Sequence, residues 1–162
     1  QAGVNPHDKL NDLESARIII SHVTEGLKLA EQYNLPREIK EFITTHHGTG
    51  LAKYFYIHYK NEHPDEEVNE DQFRYPGPNP FTREQAILMM SDTVEAASRS
   101  LQEYTEESIS ELVNRLIDGQ VADGNFTDCP ITFRDITAAK NVLIERLKAM
   151  YHTRIQYPQL KV

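Results

Sequence analysis

The chain has 162 residues, of which 39% are hydrophobic and 26% charged, the ordinary balance of a globular domain with one core. A net charge of −8 argues against a broad basic surface for a nucleic acid polymer, and no apolar run approaches the roughly 20 residues of a membrane-spanning helix. The single cysteine, Cys129, excludes an internal disulfide framework and fits a reducing, cytosolic setting. We expect one soluble domain over residues 1–162.

The first predicted helix is the most apolar segment of the chain. Asn11 or Asp12 can cap its start, and apolar side chains then recur at steps of three and four as far as about Tyr33. Ile18 and Ile19 extend the apolar surface around the helix, so we expect this helix to be central.

A second and a third helix are predicted before a long loop. Pro36 suits the first turn of the second helix, and Gly48 or Gly50 can end that helix in a left-handed cap. The aromatic segment 51–61 forms the third. The proline-rich loop 63–81 is long for a compact domain, and loops of this length are usually functional or mobile.

The second half of the chain predicts three more helices. Each begins at a threonine whose hydroxyl can cap the first turn. These helices cover residues 82 to about 103, 105 to about 116 and 132 to about 151. Because no segment of useful length alternates as a strand does, the predicted fold class is all-α.

Three histidines lie at helix positions where they can converge. His46 continues the apolar stripe of the second helix, and His47 follows where that helix ends. The partial negative charge of a helix C-terminus favours a cation there. His22 lies in the middle of the first helix among isoleucines, where it is expected to turn inward. Gly26, one turn later, either opens space beside His22 or lets another helix approach closely.

Asp92 lies on the fourth predicted helix, between apolar residues one turn before and after it. Burying an unpaired carboxylate is costly, so this side chain needs a cation, a cap or water. The residues alone leave two interpretations equally open. The histidines and the aspartate form a metal site, or they are separately packed and solvated side chains.

The HD domain of the PgpH-type seven-transmembrane HD proteins resembles this chain in the segments IIISHVTEGLKLA, THHGTGLAKYFY, FRYPGPNPFTREQAILMMSDTVEAASRSL and RIQYP. These proteins are membrane-anchored bacterial phosphodiesterases that hydrolyse cyclic di-AMP to the linear dinucleotide pApA. The resemblance covers almost the whole chain, and its motifs keep the expected order. It implies an HD-type helical bundle with this activity on the cytosolic face of the bacterial cell membrane.

The resemblance also implies a metal centre and a ligand. It implies two ions of iron or manganese in the complete domain, with His22, His46 and His47 on one metal and Asp92 on the other. Its implied partner is cyclic di-AMP rather than a nucleic acid polymer.

The His-Asp pair that gives the HD superfamily its name is not at its expected place. The dipeptide His7-Asp8 follows Pro6 in an extended segment, and the family carries a similar NPHDKL downstream of its metal-binding pair. We therefore expect His7 and Asp8 to lie outside the metal site and the chain to be an N-terminally truncated fragment. Such a fragment is expected to bind one metal ion or none, to hydrolyse weakly, and to form a homodimer through apolar surface left exposed on its first helix.

Four further residues are candidates for contact with the substrate: Arg99, Thr49, Arg74 and Tyr75. Each has a plainer alternative role. Arg99 can pair with Glu95 on the same helix, Thr49 can cap the turn after the second helix, and Arg74 and Tyr75 can pin the proline-rich loop.

The sequence thus predicts a metal-dependent cyclic-dinucleotide phosphodiesterase. The alternative is a non-catalytic helical domain that senses a nucleotide or binds a partner. Metal content with turnover favours the enzyme, and ligand binding without turnover favours the sensor.

Overall fold

The computed structural model describes residues 11–152, which form six α-helices, a short 3₁₀ turn and no strand. The predicted all-α class is confirmed. By its contacts the chain divides into two compact units, one ending at Asn79 and one beginning at Pro80. The dipeptide His7-Asp8 lies outside the described residues. Within them, every helix is too short or too polar to cross a membrane.

The first unit contains α1 (Asp12–Gln32), α2 (Arg37–Thr45), α3 (Lys53–Glu62) and the 3₁₀ turn (Glu70–Phe73). The other three elements of the unit all pack against α1. The side chain of Asn11 accepts a hydrogen bond from the backbone N–H of Glu14, and the carboxylate of Glu14 accepts one from Asn11. This capping box fixes the start of α1.

Gly26 permits a close approach between α1 and α2. A Cβ atom built on Gly26 would lie 3.3 Å from Cγ2 of Ile43, which is tighter than most contacts of a real Cβ. Of the two roles predicted for this glycine, the structure shows the close approach of a second helix.

One face of α1 is covered and another is open. Ala16, Val23 and Ala30 are buried, whereas Ile18 is 49% and Leu29 55% exposed. α1 is nevertheless the helix against which the rest of the first unit packs, as predicted for a central helix, and its exposed apolar side chains are the surface that was expected to remain open on it.

The second unit consists of α4 (Arg83–Ser98), α5 (Glu106–Ala122) and α6 (Phe133–His152), which all pack against one another. Reciprocal capping bonds are present at Thr82, Thr105 and Thr132, the three threonines that were predicted to cap these helices. The core joins side chains from all three helices with Phe126: Ala86, Met89, Met90, Val94, Ile109, Val113, Ile117, Phe126, Ile136, Leu147 and Tyr151.

Two helix ends differ from the predicted ones. α4 ends at Ser98 rather than near residue 103, because the backbone N–H groups of Ser100 and Leu101 bond three residues back in a tight turn. α5 continues to Ala122 rather than to about residue 116, and Gly124 follows with a positive φ of 78°. Helix ends carry weaker sequence signals than capped starts, and these two are set by the following turn.

Candidate metal centre

Three imidazoles meet in the first unit. His22 lies on α1, His46 is the C-cap residue of α2, and His47 follows it. Each offers a ring nitrogen that lies within 4.8 Å of those of the other two. His46 and His47 are half-buried and His22 is exposed, although it was expected to turn inward. The cluster is therefore open to solvent on the side of α1.

Backbone carbonyl groups fix the protonation of two of these rings. Nδ1 of His22 is bonded to the carbonyl oxygen of Ile19, and Nδ1 of His46 lies 2.6 Å from the carbonyl oxygen of Ile43. A carbonyl oxygen can only accept, so both Nδ1 atoms carry the donated hydrogen. In a neutral imidazole this leaves the lone pair on Nε2.

The two Nε2 atoms face each other at a distance of 3.1 Å between His22 and His46. The lone pairs of two neutral rings repel at this distance unless a cation, either a proton shared in an N–H···N hydrogen bond or a metal ion, lies between them. Metal–nitrogen bonds of about 2.0–2.1 Å place adjacent ligand atoms about 3.0–3.4 Å apart, depending on the angle at the metal. The donor set, its separation and the carbonyl contacts behind it therefore fit a divalent metal ion.

His47 is held in its neutral form. Burial, with smaller contributions from His46 and His22, lowers the pKa of His47 to about 3. A neutral imidazole is the form that coordinates a metal, so His47 can act as a ligand at pH 7 without first losing a proton.

Asp92 lies on α4 in the second unit and is half-buried. Its assignment as a ligand of a second metal stays a prediction.

Two of the candidate substrate residues have partners within their own unit. Both oxygens of Glu95 accept from Arg99, at 2.7–2.9 Å, and this hydrogen bonding raises the pKa of the guanidinium. The backbone N–H and the hydroxyl of Thr49 both donate to Oδ1 of Asn79, at 2.9 and 3.2 Å. The contact of Arg99 matches its plainer alternative, whereas Thr49 does not cap the turn but donates to Asn79; the substrate roles of both residues stay predictions.

The other two candidates lie on the proline-rich loop. Arg74 donates to the carboxylate of Glu70 at 2.7 Å and to the carbonyl oxygen of Thr49 at 3.2 Å. The ring of Tyr75 stacks on His47, with centroids 4.3 Å apart and planes inclined by 20°. Arg74 thus pins the loop, and Tyr75 belongs to the histidine cluster itself.

Sequence reasoning missed two features of this unit. Asn79, which caps the turn at Thr49, is separated from it by 30 residues, so no local signal joins them. A second group of metal-binding residue types, Asp12, His58 and Glu62, also converges within 4.8 Å. The spacing of His58 and Glu62, one helical turn apart, was the available signal, but Asp12 comes from another helix.

Comparison with known proteins identifies relatives of this chain. No protein-family model matches it. The cyclic-di-AMP phosphodiesterases PgpH of Bacillus subtilis and Listeria monocytogenes are 41% and 43% identical to it, over 96% and 98% of this chain. The chain spans about a fifth of the length of these relatives, 22% of each.

A solved structure matches over a larger share of its own length. The HD domain of the L. monocytogenes phosphodiesterase PgpH, in complex with cyclic di-AMP, is 41% identical with a TM-score of 0.87, over 93% of this chain and 69% of that one. The chain belongs to the PgpH HD-domain family. The resemblance found in the sequence motifs is thereby confirmed, and the six helices described above are a PgpH-type HD fold.

Proposed function

We propose that this chain is the part of a metal-dependent phosphodiesterase that hydrolyses cyclic di-AMP to linear pApA. The observation that carries the proposal is the histidine cluster, in which the Nε2 atoms of His22 and His46 lie 3.1 Å apart, a spacing that suits two ligands of one metal ion. Family membership supports the substrate, because the named relatives are cyclic-di-AMP phosphodiesterases and the solved PgpH HD domain is in complex with cyclic di-AMP.

His22, His46 and His47 would hold one divalent ion, and Asp92 is the proposed ligand of a second. Imidazole and carboxylate ligands suit iron and manganese, the two metals expected from the resemblance. Bound metal ions would polarise a phosphodiester oxygen and lower the pKa of a water molecule, which is the chemistry that two-metal hydrolysis requires.

The residues of the chain prepare the site for this chemistry. His22 and His46 keep their Nε2 lone pairs available because each Nδ1 donates to a carbonyl of its own helix. His47 adds a third neutral imidazole. Arg74, Thr49, Tyr75 and Arg99 remain proposed contacts of the nucleotide. Arg99 must exchange its carboxylate partner, Glu95, for a phosphate to take this role.

We also propose that the domain acts on the cytosolic face of the bacterial membrane as part of a membrane-anchored protein. This location is supported by the sequence resemblance to the seven-transmembrane HD proteins. A homodimer is proposed too, supported by the exposed apolar side chains of Ile18, Ile19 and Leu29 on α1.

The test is hydrolysis by the full-length protein. With Mn²⁺ or Fe²⁺ added, we expect chromatography to show conversion of cyclic di-AMP to pApA. His46→Ala removes a proposed ligand and is expected to lower the rate at least about a hundredfold. His152→Ala changes an exposed histidine at the end of α6 and serves as the matched control with unchanged rate.

Two results would contradict the proposal. Binding of cyclic di-AMP without product, with either metal, would favour a nucleotide sensor. Undiminished turnover by His46→Ala would show that the histidine cluster is not the metal centre.

A further inference from the structure

A second group of metal-binding side chains lies where α3 meets α1. Asp12 is the first residue of α1, and its side chain is only 14% exposed. His58 and Glu62 lie one turn apart on α3 and are exposed. Nδ1 of His58 lies 2.6 Å from Oδ2 of Asp12 and 3.8 Å from Oε2 of Glu62. Three donor groups from two helices therefore converge at a place that solvent can reach.

This group is separate from the histidine cluster. Asp12 precedes His22 on α1 by three turns, which corresponds to about 15 Å along the helix axis. Bonds from zinc to imidazole nitrogen or carboxylate oxygen are only about 2.0–2.2 Å long. One ion therefore cannot bind to both groups.

The spacing of the three residues suits chelation of a metal ion. Side chains at positions i and i+4 of a helix are neighbours, and the two histidines of a helical zinc motif have this spacing. His58 and Glu62 have it too, and Asp12 adds a third donor from α1. Bonds of about 2.0–2.2 Å place neighbouring donors about 3.0–3.4 Å apart, which lies between the observed 2.6 and 3.8 Å. Each carboxylate needs to move by only about half an ångström.

The charges of the group favour a divalent ion over a proton alone. Two ionised carboxylates carry two negative charges, and a protonated His58 supplies one positive charge. Its Nδ1 is hydrogen-bonded to Asp12 but lies too far from Glu62 for a second bond. A divalent ion beside a neutral imidazole balances both carboxylates. The last turns of α3, which carry two of the donors, also favour a cation.

We propose that Asp12, His58 and Glu62 form a zinc site that joins α3 to α1, with water completing the coordination of the ion. Zn²⁺ is preferred to Mn²⁺ at this site, because the affinity of nitrogen and oxygen donors rises along the series from Mn²⁺ to the later metals. When Nδ1 of His58 coordinates Zn²⁺, its proton passes to water. The inference does not rest on the proposed phosphodiesterase activity.

The test is calorimetric titration of the His46→Ala variant with Zn²⁺, since this variant lacks a proposed ligand of the histidine cluster. We expect it still to bind one Zn²⁺ ion. Adding His58→Gln or Glu62→Gln should weaken that binding at least about tenfold, because even residues that only orient a ligand contribute this much. Glu67→Gln removes an exposed carboxylate from the loop after α3 and is the matched control with unchanged affinity.

A second measurement identifies the ligands directly. In imidazole ¹⁵N–¹H correlation spectra of the His46→Ala variant, Zn²⁺ should shift the signals of His58, and this shift should disappear with Glu62→Gln at the same Zn²⁺ concentration. This readout depends on neither substrate nor turnover.

Three results would overturn the zinc site. The first is absence of Zn²⁺ binding in His46→Ala, which would assign all Zn²⁺ binding to the histidine cluster. The second is equal Zn²⁺ affinity of His46→Ala with and without His58→Gln, together with unshifted His58 signals. The third is an equal loss of affinity in the Glu67→Gln control, because it would reduce the effect to general attraction by negative charge. None of them bears on hydrolysis of cyclic di-AMP.

Discussion

Individual residues in the first unit adopt conformations that only their neighbours explain. Gly77 has a positive φ of 73°, and a Cβ atom built on it would lie 2.9 Å from Cγ2 of Thr49. Both the backbone conformation and the close approach require glycine. The residue thus lets the proline-rich loop lie directly against the turn that follows His47.

We expect Gly77→Ala to destabilise the protein by about 1–3 kcal/mol, because alanine is strained at this φ and its Cβ meets Thr49. Gly119→Ala is the matched comparison. Gly119 lies inside α5 with nothing within 4 Å of an added Cβ, so alanine should stabilise by up to about 1 kcal/mol through helix propensity. Urea unfolding measures both changes, and shifts of the same sign would contradict this explanation.

A further residue-level feature is the contact of His58 with two carboxylates. Its Nδ1 lies 2.6 Å from Asp12 at the start of α1 and 3.8 Å from Glu62 on its own helix. The hydrogen bond to Asp12, followed by the charge of that carboxylate, raises the pKa of His58 above its usual value of about 6.5. The protonated ring thereby links α3 to α1.

The sign of the pH dependence follows from that pKa. Because the folded state holds the proton more tightly, the stabilisation is complete below about pH 6.5 and is lost as pH rises through the folded-state value. We expect the free energy of unfolding to decline between pH 6 and pH 9, measured by urea unfolding. His58→Gln should flatten this decline, and an identical slope in that variant would assign the effect to other groups.

At the scale of helices, local signals predicted the capped starts of four helices, whereas the predicted ends of α4 and α5 were wrong by several residues. The capping boxes at Asn11, Thr82 and Thr132 involve side chains only three residues away, so the sequence contains everything that forms them. The end of α4 depends on the turn after Ser98, and Gly119 does not interrupt α5. Propensity is a weak guide at such positions because tertiary packing overrides it.

The same distinction applies to the candidate site. The inward stripe of α2 and the family motifs predicted a meeting of His46 and His47 with His22, and the three rings do lie together. The stacking of Tyr75 on His47 and the cap from Asn79 connect residues about 30 positions apart. Such contacts are fixed by the folded chain, so periodicity and spacing did not reveal them. The assignment of the cluster as metal ligands stays a prediction.

At the scale of the whole molecule, a metal ion bound only by the folded state must raise stability. At a concentration one hundred times its dissociation constant, the gain is about 2.7 kcal/mol. We expect Mn²⁺ to raise the thermal unfolding midpoint of the wild type, whereas Mg²⁺, which prefers oxygen ligands, should do so much less.

Two variants identify which group of side chains binds the Mn²⁺ ion. His46→Ala should abolish the shift caused by Mn²⁺, and His58→Gln, in the second group of metal-binding residue types, should preserve it. Retention of the shift in His46→Ala and its loss in His58→Gln would instead assign Mn²⁺ binding to the Asp12, His58 and Glu62 group. Calorimetry with and without a chelator provides the measurement.

Because the proline-rich loop is hydrogen-bonded to the turn after the histidines, the length of the chain between these two segments does not determine where the histidines lie. Gly50, Ala52 and Thr49 join segment 49–52 to segment 73–79 by hydrogen bonds. The chain between them, which contains α3 and the residues after it, therefore leaves and returns to the same place in the structure. Most side chains between residues 63 and 69 are exposed. We expect insertions or deletions there to change only the loop itself, since the free energy of loop closure becomes only slowly less favourable with length. Relatives can therefore differ in length at this point, and a reporter peptide can be inserted there, without moving the histidines.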